Sequence, residues 1–250
     1  MTNDTNQAIT LDEPLYVPLS GEIYPRSAKP RHNSLVLKLL RLAFKIGGHL
    51  SPTITGRLAY KLWFTPARFK TPEREKEALN SALIYTHQIN HHAITTYSWG
   101  KSGPIVLLVH GWSGRGTQMG SFVTPLVEAG YRVISWDAPA HGKSTGKQTN
   151  LYEIADVIVA LQQHYGTFDA VISHSFGGPC ITMAVQRGLS TKRIVSISPP
   201  ATTLGLVKKF ASTLHIPEKA GANLIRRIEN TFGKTIWHDI SMINTVQQLT

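Results

Sequence analysis

Ser175 is the residue whose type and surroundings most clearly suggest chemistry in this sequence. The apolar run 171–173 before it is typical of a buried strand, and the segment after it favours a helix. Ser173 and Gly177, two positions to either side, are small, as a tight strand-to-helix turn requires. Such a turn presents a serine hydroxyl for nucleophilic attack on a carbonyl carbon, provided that a neighbouring base activates it.

Two segments upstream share the same placement after a predicted strand. The apolar run 105–109 ends at His110 and Gly111. The run 131–136 ends at the segment 137–144, which reads DAPAHGKS. Each segment alone is only modest evidence for a catalytic function. Together with the turn at Ser175, in this order and at this spacing, they indicate a single catalytic domain.

The three segments together closely resemble the α/β-hydrolase family over residues 82–200. The resemblance implies an oxyanion hole made by the backbone N–H groups of Trp112 and Phe176, whose individual loss typically costs about 2.7–4 kcal/mol. Ala140 stands where the family's loop has a glycine, a departure that concerns loop conformation rather than chemistry. The resemblance also assigns the turns that shape the site to His110, Gly111, Ser173 and Gly177.

The triad acid and the general base have no convincing candidates in this sequence. The family order is serine, then acid, then histidine. The acidic residues and histidines that follow Ser175 are Glu218, Glu229, Asp239, His215 and His238. His238 and Asp239 are adjacent, which does not suit the extended line from serine through histidine to carboxylate. The resemblance therefore implies a chain that lacks its C-terminal part and ends about where a seventh strand would begin.

Alternating strands and helices predict an α/β fold, a mostly parallel twisted sheet with helices on both faces, incomplete after the sixth strand. The last predicted strand, 193–197, then forms a sheet edge that no lysine or proline protects between 194 and 197. Gly47 and Gly48 are expected to end the first helix. The predicted divisions are a disordered tail at 1–32, a basic amphipathic helical extension at 33–81, the hydrolase core at 82–200 and a helical cap-like segment at 201–250.

The positive charge is concentrated in the helical extension. The formal net charge is +11, and no Asp or Glu occurs between residues 23 and 72. Nucleic-acid binding is not expected, because the basic residues are spread along amphipathic helices and no nucleic-acid-binding motif is present. Two interpretations stay open. Residues 35–64 make peripheral contact with a membrane, or these helices pack their apolar faces on the sheet and expose their lysines.

Composition predicts a cytoplasmic protein, with peripheral contact at the inner face of the membrane as an additional possibility. The only cysteine is Cys180, so no disulfide can form within the chain, and a reducing compartment follows. The first residues lack the order of a signal peptide, and no apolar run approaches the roughly 18 residues that span a bilayer. His91 and His92 have no cysteine or carboxylate at ligand spacing, so we expect no metal and no cofactor.

The leading functional hypothesis is an esterase-like serine hydrolase that acts on a small-molecule ester or related acyl substrate through Ser175. The first alternative is a non-catalytic, hydrolase-like protein that binds a small molecule, a partner or a membrane surface. The second alternative is that a partner chain supplies the missing strands and the histidine.

Overall fold

The computed structural model describes residues 35–239. The helices are α1 (Leu35–Leu50), α2 (Pro52–Trp63), α3 (Lys76–Ser81), α4 (Val123–Glu128), α5 (Leu151–Tyr165), α6 (Gly177–Gln186), α7 (Thr203–Thr213), α8 (Glu218–Phe232) and α9 (Ile236–Asp239). The strands are β1 (Leu83–Ile89), β2 (His92–Trp99), β3 (Ile105–Val109), β4 (Arg132–Trp136), β5 (Phe168–His174) and β6 (Thr191–Ile197). Short 3₁₀ helices cover Glu73–Glu75 and Gly116–Phe122. The predicted tail at 1–32 lies outside the described residues.

One six-stranded sheet runs through the molecule in the order β1-β2-β4-β3-β5-β6. The strands β1 and β2 form an antiparallel hairpin, and β2 pairs antiparallel with β4. The strands β3 to β6 are parallel, with Leu107 of β3 beside Ile134 on one side and Val171 on the other. The predicted α/β fold with a mostly parallel sheet is therefore confirmed.

The apolar run of β3 is buried because helices cover both faces of the sheet. Successive side chains of a strand point to opposite faces. Leu107 and Val109 accordingly join a core cluster with Ile154 of α5 and Ile181 of α6. Val106 and Leu108 join a second cluster, which includes Val123 of α4. A continuous apolar sequence is what a strand covered on both faces requires.

The prediction that Gly47 and Gly48 end the first helix is wrong. The helix α1 continues to Leu50, and Gly48 is buried within it. A Cβ atom at Gly48 would lie only 2.5 Å from the Pro217 ring, so the glycine allows the chain before α8 to approach closely. Similarly, a Cβ atom at Gly56 of α2 would lie 2.5 Å from Asn223 Cβ of α8. The first two helices thus pack against the segment after the sheet.

The strand β6 lies at the edge of the sheet, as predicted. Its pairing partner among residues 35–239 is β5, and Val195 on it is 49% exposed. No helix within the described range is long and apolar enough to cross a membrane.

Candidate active site

Ser175 occupies the turn that joins β5 to α6. Its φ of +51° is in the left-handed region, which costs a residue with a Cβ atom roughly 1–2 kcal/mol. Two backbone hydrogen bonds hold the turn. The Ser175 N–H donates to the Ile197 carbonyl at 2.9 Å, and its carbonyl accepts from the Gly178 N–H at 3.0 Å. The tight turn predicted from the sequence is therefore present, and it is strained.

Small residues allow the end of β3 to approach this turn. A Cβ atom at Gly177 would lie 2.8 Å from the Val109 carbonyl oxygen. One at Gly111 would lie 3.0 Å from Ser175 Cβ. Ser173 is fully buried, and its hydroxyl lies 3.0 Å from the Ser196 hydroxyl of β6. Gly111 and Gly177 therefore allow β3 to approach the turn, and Ser173 connects the turn to β6.

Trp112 and Phe176, the predicted oxyanion-hole residues, lie beside Ser175 in the wall of one cavity. Their rings meet edge to face with centroids 5.4 Å apart. The helix α6 begins directly after Phe176, so its positive N-terminal end lies at the same place.

His110 and His141 are buried neutral residues that bind backbone groups. His110 Nε2 accepts from the Ala138 N–H at 3.0 Å, and its Nδ1–H donates to the Gly111 carbonyl at 2.7 Å. His141 Nε2 likewise accepts from the Ser113 N–H at 3.0 Å. Burial lowers the pKa of both, and it lowers that of His141 to about 3 with a further contribution from nearby His110. With both ring nitrogens engaged, neither imidazole is free to act as a general base.

This burial predicts that the protein loses stability in mild acid. The unfolded chain protonates His141 below about pH 6.5 whereas the folded protein does so only near pH 3, so its contribution is present above pH 6.5 and is lost as the pH falls towards 3. Between pH 7 and 5 this one group should lower the free energy of unfolding by about 2 kcal/mol. Urea unfolding at pH 7 and at pH 5 measures this difference in the free energy of unfolding. The variant H141Q should show a correspondingly shallower pH dependence, whereas H215Q, at an exposed site, should match the native protein.

Asp137 connects the loop after β4 to β2 and to the 3₁₀ helix at Gly116–Phe122 through hydrogen bonds. It is fully buried, and its carboxylate accepts three hydrogen bonds. The donors are the Tyr97 hydroxyl at 2.9 Å, the Gly116 N–H at 2.6 Å and the Lys143 N–H at 2.7 Å. Ala140, which replaces the glycine of the family pattern, adopts a left-handed φ of +64°. The loop therefore keeps a glycine-like conformation despite the substitution.

Arg68 is a positioning residue that sequence reasoning missed. Its guanidinium donates to four carbonyl oxygens of the loop after β4. They belong to Ala140 (3.0 Å), Gly142 (3.1 Å), Ser144 (2.7 Å) and Gly146 (3.1 Å). In the sequence Arg68 is one basic residue among many. Its hydrogen-bond acceptors are backbone carbonyl groups, which every residue has, so no sequence pattern could identify it.

The cavity beside Ser175 has a volume of about 190 Å³ and is mainly apolar. Thr203 also lines it, and the buried Thr203 hydroxyl has no hydrogen-bonding partner within residues 35–239. The other lining residues are Trp63, Phe64, Trp112, Asn150, Leu151, Tyr152, Phe176, Leu206, Ile228, Phe232, Ile236 and Trp237. Across the described range, no histidine or carboxylate lines this cavity. An engineered cavity of roughly 150 Å³ accommodates benzene, so this space suits a small apolar group.

The residues considered from the sequence as the triad acid or the general base are not found in the cavity lining within the described residues. His215, Glu218 and His238 have exposed side chains. Glu229 accepts a hydrogen bond from Trp237 Nε1 at 2.9 Å, so it supports a residue of the cavity wall. The side chain of Asp239 lies outside the described part of the chain.

One cluster could hold a metal ion. His91, His92 and Glu153 bring their ligand atoms within 4.8 Å of one another, a set that suits zinc. His92 Nε2 is nevertheless at hydrogen-bonding distance from Glu153, 2.8 Å, and the Thr149 hydroxyl donates to the other carboxylate oxygen at 2.6 Å. The carboxylate is thus satisfied by protein groups. It lies 61 residues from His92 in the sequence, so ligand spacing could not have pointed to it.

Comparison with known proteins defines the class. The sequence model of the Alpha/beta hydrolase family matches residues 106–242, a segment that includes β3 to β6 and Ser175. The chain therefore belongs to the alpha/beta hydrolase family.

Individual relatives are similar over part of their length. The magnesium-chelatase 30 kDa subunit of Rhodobacter capsulatus is 38% identical over 102 residues, which cover 38% of this chain and 34% of that protein. Epoxide hydrolase B of Mycobacterium tuberculosis is 28% identical over 122 residues, 46% of this chain and 34% of that protein. The chain thus spans about a third of the length of these relatives.

Among solved structures, the thioesterase domain from the curacin biosynthetic pathway is similar with a TM-score of 0.44 and 23% identity, over 50% of this chain and 46% of that one. That similarity concerns the fold alone. Since a chelatase subunit and an epoxide hydrolase both match, membership of the family leaves the reaction open.

Proposed function

We propose that this chain is an esterase-like serine hydrolase that cleaves an ester or related acyl substrate with Ser175 as the nucleophile. The observation that carries the proposal is the strained turn between β5 and α6, which holds a serine in a left-handed conformation beside a cavity. Strained residues of this kind cluster at active sites.

In the proposed reaction, Ser175 Oγ forms a bond with the substrate carbonyl carbon. The hydroxyl proton passes to a general base, and the negative charge develops on the carbonyl oxygen. The backbone N–H groups of Trp112 and Phe176 stabilise that charge, supported by the N-terminal end of α6. Collapse of the intermediate breaks the bond to the alcohol, which takes up the proton. Water then releases the acid from the acyl-enzyme. No cofactor is required.

The cavity lining suggests the substrate class. Its aromatic and aliphatic residues favour a small apolar acyl or alcohol group. The Thr203 hydroxyl has no partner within residues 35–239, so it is available to hydrogen bond a polar atom of the substrate. We therefore propose a compact ester rather than a highly charged one.

A non-catalytic binding protein is the second candidate. One observation favours it: within residues 35–239, the Ser175 hydroxyl has no hydrogen-bonding partner, and no histidine or carboxylate lines its cavity. The hydrolase proposal therefore requires a base that is not among the cavity-lining residues, supplied from elsewhere in the protein or by a partner chain.

Labelling with a fluorophosphonate probe tests the proposal. Fluorophosphonates react with activated serine nucleophiles, so the native protein should be labelled and S175A should not. S113A, which alters another serine beside the same loops, is the matched control and should be labelled like the native protein. Failure to label the native protein would favour the binding candidate. Labelling confined to an oligomeric fraction in size-exclusion chromatography would assign the base to a partner chain.

We also propose a cytoplasmic location with peripheral contact at the inner face of the membrane. Cys180 is buried and unpaired in α6, which fits a reducing compartment.

A further inference from the structure

The helix α1 carries an apolar stripe on the side that faces away from the core. Leu39, Leu42 and Ile46 are 57%, 54% and 51% exposed, and Leu50 is 81% exposed. Their spacing of three and four residues places them on one side of the helix. At about 100° per residue, Leu42 and Ile46 lie on the side opposite to buried Phe44. A helix on the surface of a globular domain normally presents polar residues there.

The helix α2 also carries exposed apolar residues. Ile54 and Leu58 are 62% and 57% exposed and are four residues apart. Together with Leu50 they line a shallow groove between the two helices. We call the exposed apolar residues of both helices the apolar stripe; they are Leu35, Val36, Leu39, Leu42, Ile46, Leu50, Ile54 and Leu58. Exposed apolar residues concentrated in this way on two neighbouring helices are typical of an interaction site.

Basic residues accompany the stripe without acidic ones. Lys38, Lys45, Arg57 and Lys61 are exposed on the same two helices. Within residues 35–239 none of the four forms a salt bridge, since the salt bridges there involve other cations. The charge on this face is therefore uniformly positive and available to an anionic partner.

We propose that the apolar stripe and its flanking basic residues dock on an anionic membrane surface. Apolar side chains enter the boundary between headgroups and acyl chains, while lysine and arginine lie at the phosphate level. Each basic residue near an anionic leaflet contributes about 1 kcal/mol. Nucleic acid would satisfy the charges but leave the stripe in water. A second copy of the chain would cover the stripe but bring like charges together.

The docking surface and the cavity beside Ser175 share the helix α2. The helix α2 carries Ile54 and Leu58 at the exposed surface, and Trp63 at its C-terminal end lines the cavity together with Phe64. If Ser175 is the nucleophile proposed above, this arrangement places the cavity near a source of lipid-soluble esters. The docking itself does not rest on the catalytic proposal.

Vesicle co-sedimentation of the full chain tests the inference. The probes are vesicles of phosphatidylcholine alone and vesicles in which about a third of the lipid is phosphatidylglycerol. Native protein should bind the anionic vesicles at least tenfold more tightly, and this preference should weaken at high salt. The variant L39Q/L42Q/I46Q should lose at least tenfold in binding. The variant K38Q/K45Q should lose about fivefold for each charge removed.

Two variants serve as matched controls. L83Q removes an equally exposed apolar side chain from β1, and K101Q/K192Q removes two exposed charges elsewhere. Both should bind vesicles like the native protein. Unchanged thermal unfolding of all variants excludes a folding defect, and fluorophosphonate labelling reports separately on Ser175.

Three results would overturn the inference. One is that the native protein fails to bind anionic vesicles, and another is that the stripe variant binds as well as the native protein. The third comes from size measurements. If the native protein is a dimer that L39Q/L42Q/I46Q converts to a monomer without any vesicle binding, a second copy covers the stripe instead of a membrane.

Discussion

Replacing Ser175 with glycine is expected to abolish ester hydrolysis and to raise the free energy of unfolding by about 1 kcal/mol. The left-handed φ of +51° costs a residue with a Cβ atom roughly 1–2 kcal/mol, which glycine avoids. Glycine's greater freedom in the unfolded chain offsets part of that gain. Loss of a nucleophile typically lowers turnover by at least about 1,000-fold. Hydrolysis of p-nitrophenyl acetate and urea unfolding measure the two effects.

S175A separates the two consequences. Alanine removes the hydroxyl but keeps the Cβ atom, so activity should disappear while the free energy of unfolding stays within about 0.5 kcal/mol of the native value. A glycine variant that is less stable than the alanine variant would show that the turn stores no strain. Hydrolysis that persists in both variants would show that Ser175 is not the nucleophile.

Replacing Asp137 with alanine is expected to lower the free energy of unfolding by about 3–5 kcal/mol. The change leaves the buried Tyr97 hydroxyl and Gly116 N–H without their acceptor, and it also removes the acceptor of the partly buried Lys143 N–H. Each unsatisfied buried donor costs about 1–3 kcal/mol. Urea unfolding at pH 7 measures the loss.

D137N gives a second readout in case the alanine variant fails to fold. Asparagine keeps one acceptor oxygen and removes the charge, so D137N should lose less stability than D137A in the same urea unfolding measurement. The control is D156A, because Asp156 is an exposed residue paired with Arg187 and should cost less than about 1 kcal/mol. Equal losses for D137A and D156A would contradict the structural role of Asp137.

The elements of the sheet were predictable from the sequence because their signals are local. The predicted strand 105–109 agrees residue for residue with β3. Strand periodicity, apolar runs and turn residues act between neighbours in the chain, so they can be interpreted without the fold. The tight turn around Ser175 is local in the same sense, since small residues two positions to either side make it possible.

Only the tertiary structure could show which residues that are distant in the sequence contact one another. Arg68 holds the loop after β4 through hydrogen bonds to backbone carbonyl oxygens. Because every residue has a carbonyl oxygen, the amino-acid sequence does not indicate which ones Arg68 contacts. Gly48 looked like a helix end but is a point of close approach to Pro217. Whether a glycine ends a helix or admits a neighbour depends on what packs there.

The two faces of α1 also show what the sequence determined and what only the tertiary structure decided. The sequence determined that this helix is apolar and basic, and it left open whether its apolar residues meet the sheet or a membrane. Packing decided that Phe44 turns towards the core while Leu42 and Ile46 stay in contact with solvent. The physical reason is that helical periodicity fixes which side chains share a face, whereas only the position of the rest of the chain decides which face is covered.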